Sequence, residues 1–230
     1  MTPLYEDNHI IIVSKTPGEI VQGDKTGDTP LSDTVKAYLK EKHNKLGNVF
    51  LGVVHRLDRP TSGIVVFAKT SKALSRLNEM FRKGEVHKTY HALVARTDAL
   101  APLGKTIRLE HWLTRNEQQN KSYAHQHEKA GAKQAVLDYT PLHHSDRYTL
   151  LEVQLYTGRH HQIRCQLSAV GLPLRGDLKY GAPRSNPDGS ICLHARHIEF
   201  IHPVSKALIS IDAPYPALPL WRAFEGNGTL

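Results

Sequence analysis

One acidic residue stands out first. Asp58 lies in "GVVHRLDRPTSGIVVFAKT", residues 52–70, where a polar turn with His55, Arg56, Arg59, Thr61 and Ser62 separates two apolar, β-branched runs. An aspartate flanked by arginines stays ionised, because a neighbouring cation favours the charged form. Such a carboxylate can act as nucleophile, general base or metal ligand. It can also do no more than hydrogen-bond the backbone of its own turn. A second constellation, "YTGRHHQIRCQL", begins at Tyr156. Here Thr157 and Gly158 turn the chain out of a strand, and Arg159 opens an expected helix, where a helix N-terminus and a cation together suit a phosphate. Arg164 is five residues further on, off that face, and can grip a carboxylate with both arms of its guanidinium. An ordinary basic helix face has the same spelling.

Other chemistries lack their residues. Fifteen histidines invite a metal, yet there is no H-E-x-x-H and no zinc-finger spacing of Cys and His. His194 and His197 are three apart in a strand-like stretch and so face opposite ways, and His143-His144 and His160-His161 are adjacent pairs. No metal is expected. A G-x-S-x-G elbow is missing, "GDKTGDTPLS" is neither a Walker loop nor G-x-G-x-x-G, and no acidic motif supplies Asp58 with a glycosidase partner.

The elements around these residues alternate strands with a few helices. "HIIIVSK" (9–15) reads as a buried strand running into a Pro17-Gly18 turn. Thr29 or Ser32 is positioned to cap a helix over 32–43, with Val35, Leu39 and His43 on one side. The runs 49–57 and 62–70 are strands joined by the Asp58 turn. Ser71 is placed to cap a helix over 72–83, whose Leu74, Leu77, Met80 and Phe81 share a face, and Gly84 ends it. A strand follows over 88–96. The polar stretch 98–134 reads as a solvated hairpin or loop. Two alternating strands come next, at 135–142 and 148–157. A helix is expected over 158–171, lined by Ile163, Leu167 and Val170 and closed by Gly171. Two strands, 190–203 and 207–214, and a short packing helix in "PALPLWRAF" complete the chain. With no repeat and no composition break, one α+β domain over 1–230 with a mainly antiparallel mixed sheet is expected.

Composition narrows the partners. The chain has 230 residues, and its 40% hydrophobic and 23% charged content is that of a globular protein. No run nears the roughly 18 apolar residues of a membrane span. The N-terminus carries acids where a signal peptide is basic, so a cytosolic protein is expected. Two cysteines make neither a disulfide framework nor a zinc ribbon. Lys and Arg outnumber Asp and Glu by 30 to 22, a net charge of +8 that favours a polyanion. The basic residues are spread through the fold, not gathered in a tail. Nothing resembles a dimerisation stripe, and a monomer is expected.

Five blocks in order carry a family resemblance. "HRLDRPTSGIVVFAKT" resembles the H-R-L-D-x-x-T-S-G motif of the RluA-type pseudouridine synthases. "KTYHALV" is similar to the block holding that family's active-site tyrosine, here Tyr90. "TGRHHQIRCQL" resembles T-G-R-T-H-Q-I-R, and "GLPLRGDLKYG" and "LHARHIEFIHP" resemble the two blocks after it. "LYEDNHIIIVSKTPG" is similar to the opening strand and K-P-x-G turn, with Thr16 inserted. The likeness spans about residues 4–214. His160 departs from the usual threonine, and Cys165-Gln166 from Val-His.

The resemblance implies isomerisation of uridines in ribosomal or transfer RNA, without organic cofactor and with no DNA partner. Asp58 would be the essential group, adding to ribose carbon 1′ or removing the 2′ proton; the sequence leaves both open. Tyr90 would stack on the flipped uracil, and Arg164 would pair with Asp58. Arg56 would fill the space left by the base. Arg159 and Lys88 would contact the RNA backbone, with His161 and Gln162 also at the substrate. The chain starts near the first core strand, so an accessory RNA-binding domain is not expected. A non-catalytic RNA binder and a uracil-releasing hydrolase are the competing readings.

Overall fold

The computed structural model describes residues 1–98 and 100–225. In chain order the elements are β1 (Tyr5–Glu6), β2 (Ile10–Lys15), α1 (Leu31–Lys42), β3 (Gly52–Val53), β4 (Ser62–Ala68), α2 (Ser71–Lys83) and β5 (His87–Ala95). There follow β6 (Ile107–Asn116), β7 (Lys121–His125), β8 (Lys133–His144), β9 (Tyr148–Leu155), α3 (Gln162–Ala169), β10 (Leu193–Ile201), β11 (Leu208–Asp212) and α4 (Pro219–Arg222). The content is α+β, as the alternation of patterns indicated. Among the described residues, no helix is long and apolar enough to cross a membrane. The described residues gather into two compact units, one of residues 1–87 with 195–214 and one within 88–194 with 215–225.

In the first unit β2 pairs antiparallel with β1 and β4, and β3 adds two residues to β4. Ile10–Val13 and Ile64–Ala68 are almost wholly buried, so these strands are covered on both faces. Leu77 of α2 lies in that core, with Leu74, Met80 and Phe81 packed against it, which is the face the spacing indicated. The helix starts are different from those expected. Thr70, not Ser71, caps α2, its hydroxyl accepting from the Ala73 N–H at 3.2 Å. An N-cap reaches the third helical residue, and Ser71 is already helical. Neither Thr29 nor Ser32 caps α1. Pro30 precedes it, and the Leu31 and Ser32 N–H groups donate to the Ile20 and Val21 carbonyls at 2.8 and 3.2 Å, so backbone satisfies donors that a side chain usually takes. His43 ends exposed at the C-cap, off the buried face of Val35 and Leu39.

In the second unit the order β5-β9-β8-β6-β7 is antiparallel throughout. The polar 98–134 stretch holds the hairpin of β6 and β7. That hairpin is more than a solvated loop, because β6 buries Leu109, His111 and Leu113. Strand β5, β9 and the C-terminal segment share a second core of Leu93, Leu150, Cys192, Trp221 and Phe224. The helix expected over 158–171 is shorter: α3 spans eight residues, Arg159 precedes it, Val170 is exposed, and Gly171 closes it at φ +79°.

Candidate active site

The Asp58 turn is residues 54–61, between β3 and β4. Its shape is imposed by a residue the motif did not reveal. Lys15, at the end of β2 and 1% exposed, donates through Nζ to the carbonyls of Thr16 (3.1 Å), Arg59 (3.0 Å) and Thr61 (2.6 Å). The Thr61 N–H in turn donates to the Asp58 carbonyl at 3.0 Å, and Gly18 N–H to that of Arg59 at 2.9 Å. Burial lowers the Lys15 ammonium to about 8, against the pull of the Glu19 and Asp58 carboxylates. The one signal of Lys15 in the sequence was the lysine of the K-P-x-G turn, and its place opposite Gly63 in the β2–β4 ladder sets where it lies.

The rest of the motif is scaffold. His55 Nε2 accepts the Val66 N–H at 3.0 Å, and its ring stacks on Phe81 with centroids 4.9 Å apart, tying the turn to β4 and α2. Gly63 sits at φ +112°, and a Cβ there would lie 2.3 Å from the Ala195 carbonyl oxygen, so no other residue fits. Arg59 does not flank Asp58 as the sequence suggested. Its guanidinium swings to Asp28 at 2.7 Å and to the Thr26 hydroxyl at 2.9 Å. The Asp58 carboxylate is one of the charges that favour the protonated form of buried Lys15. Arg56 is exposed.

In the second unit, β5 carries Lys88 and Tyr90, two residues apart and therefore on one face. Tyr90 is 8% exposed; Lys88 is half-buried, which lowers its pKa by desolvation. The Arg159–Arg164 segment is built around Gln162. Its Oε1 accepts the Arg159 N–H (2.9 Å) and the Thr157 hydroxyl (2.8 Å), and its Nε2 donates to the Val136 carbonyl (3.1 Å). Gln162 thus shapes the turn from within, while the Arg159 guanidinium stays exposed, with Nε on the Gln134 carbonyl at 2.9 Å. His161 adopts the left-handed conformation, φ 52°, stacks on His160 with centroids 3.7 Å apart, and meets the Tyr180 hydroxyl through Nδ1 at 3.0 Å.

Arg164 is 5% exposed and forks onto Asp177, Nε to Oδ2 at 2.7 Å and Nη2 to Oδ1 at 2.9 Å. Asp177 is 1% exposed, and the guanidinium lies 5.1 Å from the Tyr180 ring centre. Burial holds the Tyr180 phenol well above its ordinary range. Asp177 and Tyr180 had no assigned role in the sequence reading, and their one signal was the block "GLPLRGDLKYG". Both cysteines are free and buried, their thiols pushed up to about 11 by desolvation. Among the described residues, no cluster of three His, Cys, Asp or Glu is arranged to hold a metal.

The model of the family described as RNA pseudouridylate synthase matches residues 9–169, more than half the chain, and takes in Asp58, Tyr90 and Arg164. The chain belongs to the RNA pseudouridylate synthase family. An uncharacterised RNA pseudouridine synthase of Bacillus subtilis is 32% identical to it over 222 residues, covering 93% of this chain and 68% of the relative. A ribosomal large subunit pseudouridine synthase D of Xanthomonas campestris is also 32% identical, over 93% of this chain and 65% of the relative. The pseudouridine synthase chain therefore spans about two-thirds of the length of these relatives, and such matches make it an RluA-type member of a family of isomerases acting on RNA. The fold of human RNA pseudouridylate synthase domain containing 4 agrees, with a TM-score of 0.74 at 23% identity over 94% of this chain and 88% of the human one.

Proposed function

We propose that this synthase isomerises specific uridines of ribosomal or transfer RNA to pseudouridine, with Asp58 as the essential group. The observation that carries the reading is the construction around Asp58: a buried lysine gripping three carbonyls of adjoining backbone, in a motif the family match includes. A turn needing only to reverse the chain requires no buried ammonium, whose desolvation is costly.

The reaction breaks the bond from N1 of uracil to ribose carbon 1′, rotates the base, forms the bond from C5 to carbon 1′, and releases the C5 proton to solvent while N1 takes up one proton in its place. It needs no co-reactant. The target base must leave its stack, at a cost of a few kcal/mol that is smallest in loops. Tyr90 offers a ring for the extruded uracil and a hydroxyl for proton transfer. Arg56 occupies the space the base vacates, and Lys88 and Arg159 bind phosphates, giving affinity without sequence preference. His161 and Gln162 shape the substrate-facing turn. Asp58 either adds to carbon 1′ or takes the 2′ proton. The name of the Xanthomonas relative favours ribosomal RNA as the substrate. A monomer working in the cytosol completes the proposal.

The test is tritium release from unmodified RNA labelled at uracil C5. Release by the native protein and none by Asp58→Asn is the expected result. Salt-sensitive RNA binding without release would replace the synthase by a binding protein, and free uracil among the products would replace it by a hydrolase.

A further inference from the structure

The tip of the β6–β7 hairpin, residues 117–120, has the sequence Glu-Gln-Gln-Asn and no apolar side chain to bury. Such a turn ordinarily moves freely in solvent. This one is tethered from several directions within its own unit. His160 Nε2 lies 3.1 Å from Asn120 Oδ1, and its Nδ1 lies 2.9 Å from the Ser122 hydroxyl. That hydroxyl also reaches the His160 carbonyl at 2.7 Å. Lys179 Nζ donates to the Gln119 and Asn120 carbonyls at 3.2 and 3.1 Å, Asn116 Oδ1 accepts the Gln119 N–H at 3.0 Å, and the Tyr123 hydroxyl donates to the Gln119 side chain. The His160 ring is itself set by its stack on His161, which Tyr180 holds.

Two features separate this from ordinary hairpin support. First, the clamp joins the tip to the Arg159 turn, the segment already assigned to RNA. Second, the groups around it are mainly cationic. Lys121 Nζ stands over the Tyr123 and Tyr180 rings at 5.5 and 5.2 Å, Lys179 grips the tip, and Arg159 adjoins His160; Glu117 is the opposing charge in the turn. His160 also stands where the resembling family has threonine. A threonine hydroxyl can replace one ring nitrogen at most, so it cannot bridge both Ser122 and Asn120.

We propose that His160 is a positioning residue for RNA, clamping the β6–β7 tip to the Arg159 turn so that Lys121, Arg159 and Lys179 present one preformed cationic surface to phosphates flanking the target uridine. This rests on the proposed function in its choice of RNA as partner. Preformation lowers the ordering entropy that binding must overcome, so the clamp acts on affinity and KM more than on the chemical step.

The test uses the full chain, unmodified ribosomal RNA transcripts, and the variants His160→Thr, Asn120→Ala and His160→Gln. Asn120 sits at φ 47°, where alanine adds modest backbone strain at an exposed tip, so the chain still folds and His160→Thr reads the clamp without that strain. The clamp predicts Kd and KM rising about three- to tenfold in His160→Thr and Asn120→Ala, as loss of one or two hydrogen bonds implies, with kcat moving less than KM. His160→Gln, whose amide still reaches Asn120, should recover most of the loss. A shallower salt dependence, by about one counterion, should accompany the weaker variants. Unchanged Kd and KM, with faster amide exchange at 117–120, would overturn the proposal and leave a merely structural clamp. Because Kd is read without turnover, an absence of tritium release from the native protein would sink the synthase reading while the clamp is judged separately.

Discussion

The turn bearing Asp58 and the segment bearing Arg164 each rest on a buried cation, and the two cations do different work. Lys15 directs three donors at carbonyls of Thr16, Arg59 and Thr61, so it shapes a path of backbone. Arg164 lays its fork on both oxygens of Asp177, so it fixes one side chain against another. An ammonium is a compact point charge whose donors diverge, whereas a guanidinium is a rigid plane matched to a carboxylate. One device holds the backbone beside the acid proposed to react; the other uses an acid as structure. The two aspartates should therefore fail in opposite ways.

The widest effect tests that contrast directly. Asp58→Asn should reduce tritium release by at least about a thousandfold, as loss of a covalent or general-base group does, with the thermal midpoint nearly unchanged. A large fall in midpoint would place Asp58 among the structural acids and erase the difference. Asp177→Ala should cost about 3–5 kcal/mol in urea unfolding, because it removes a buried carboxylate that takes two bonds from a buried guanidinium. The pair Arg164→Met with Asp177→Leu should regain much of that stability, since burying two charges is itself unfavourable. A double variant as unstable as the single one would show that the pair is not the source of the loss.

Lys15→Met should cost less, about 2–3 kcal/mol, since part of the loss at three carbonyls is relieved by water at the exposed Thr16. Its activity should fall further than its stability, because the Asp58 turn loses its shape. The smallest effect is on pH dependence. With the Lys15 pKa lowered to about 8 from 10.5, the unfolded chain binds the extra proton between those values. This group's contribution to stability therefore rises with pH from about 8 to 10.5. Activity should run the other way, because a neutral amine has two N–H donors for three carbonyls. A rate profile falling above about pH 8 in the native enzyme, with that inflection missing in Lys15→Met, would sharpen the comparison. An identical inflection in both would remove Lys15 from the explanation.

Some parts of the site were legible and others were not, for physical reasons. Asp58, Tyr90 and Arg164 belong to short contiguous motifs, and the buried strands around them announce themselves by runs such as Ile10–Val13. Cap positions were displaced because a cap depends on where helical dihedrals begin. Thr70 and Ser71 are equally good capping residues by type, and only the backbone distinguishes them. Arg59 was misjudged because sequence adjacency says nothing about which way a long side chain swings; Asp28, thirty-one positions earlier, drew it away. Asp177 and Lys15 stand in recognisable blocks yet have no legible role, because a partner set by the fold is not written beside them and a buried charge is spelled like an exposed one.

The amino-acid sequence by itself determined the class of elements, the burial of the central strands, the family and the motif acid, since periodicity and contiguous motifs are local properties. Tertiary structure alone decided which cation serves which group. Lys15 became the organiser of the Asp58 turn by pairing opposite Gly63 across β2 and β4, and Asp177 became the mate of Arg164 by a return of the chain thirteen residues later. An ionic partner is chosen by distance and desolvation, and both exist only once the chain has folded.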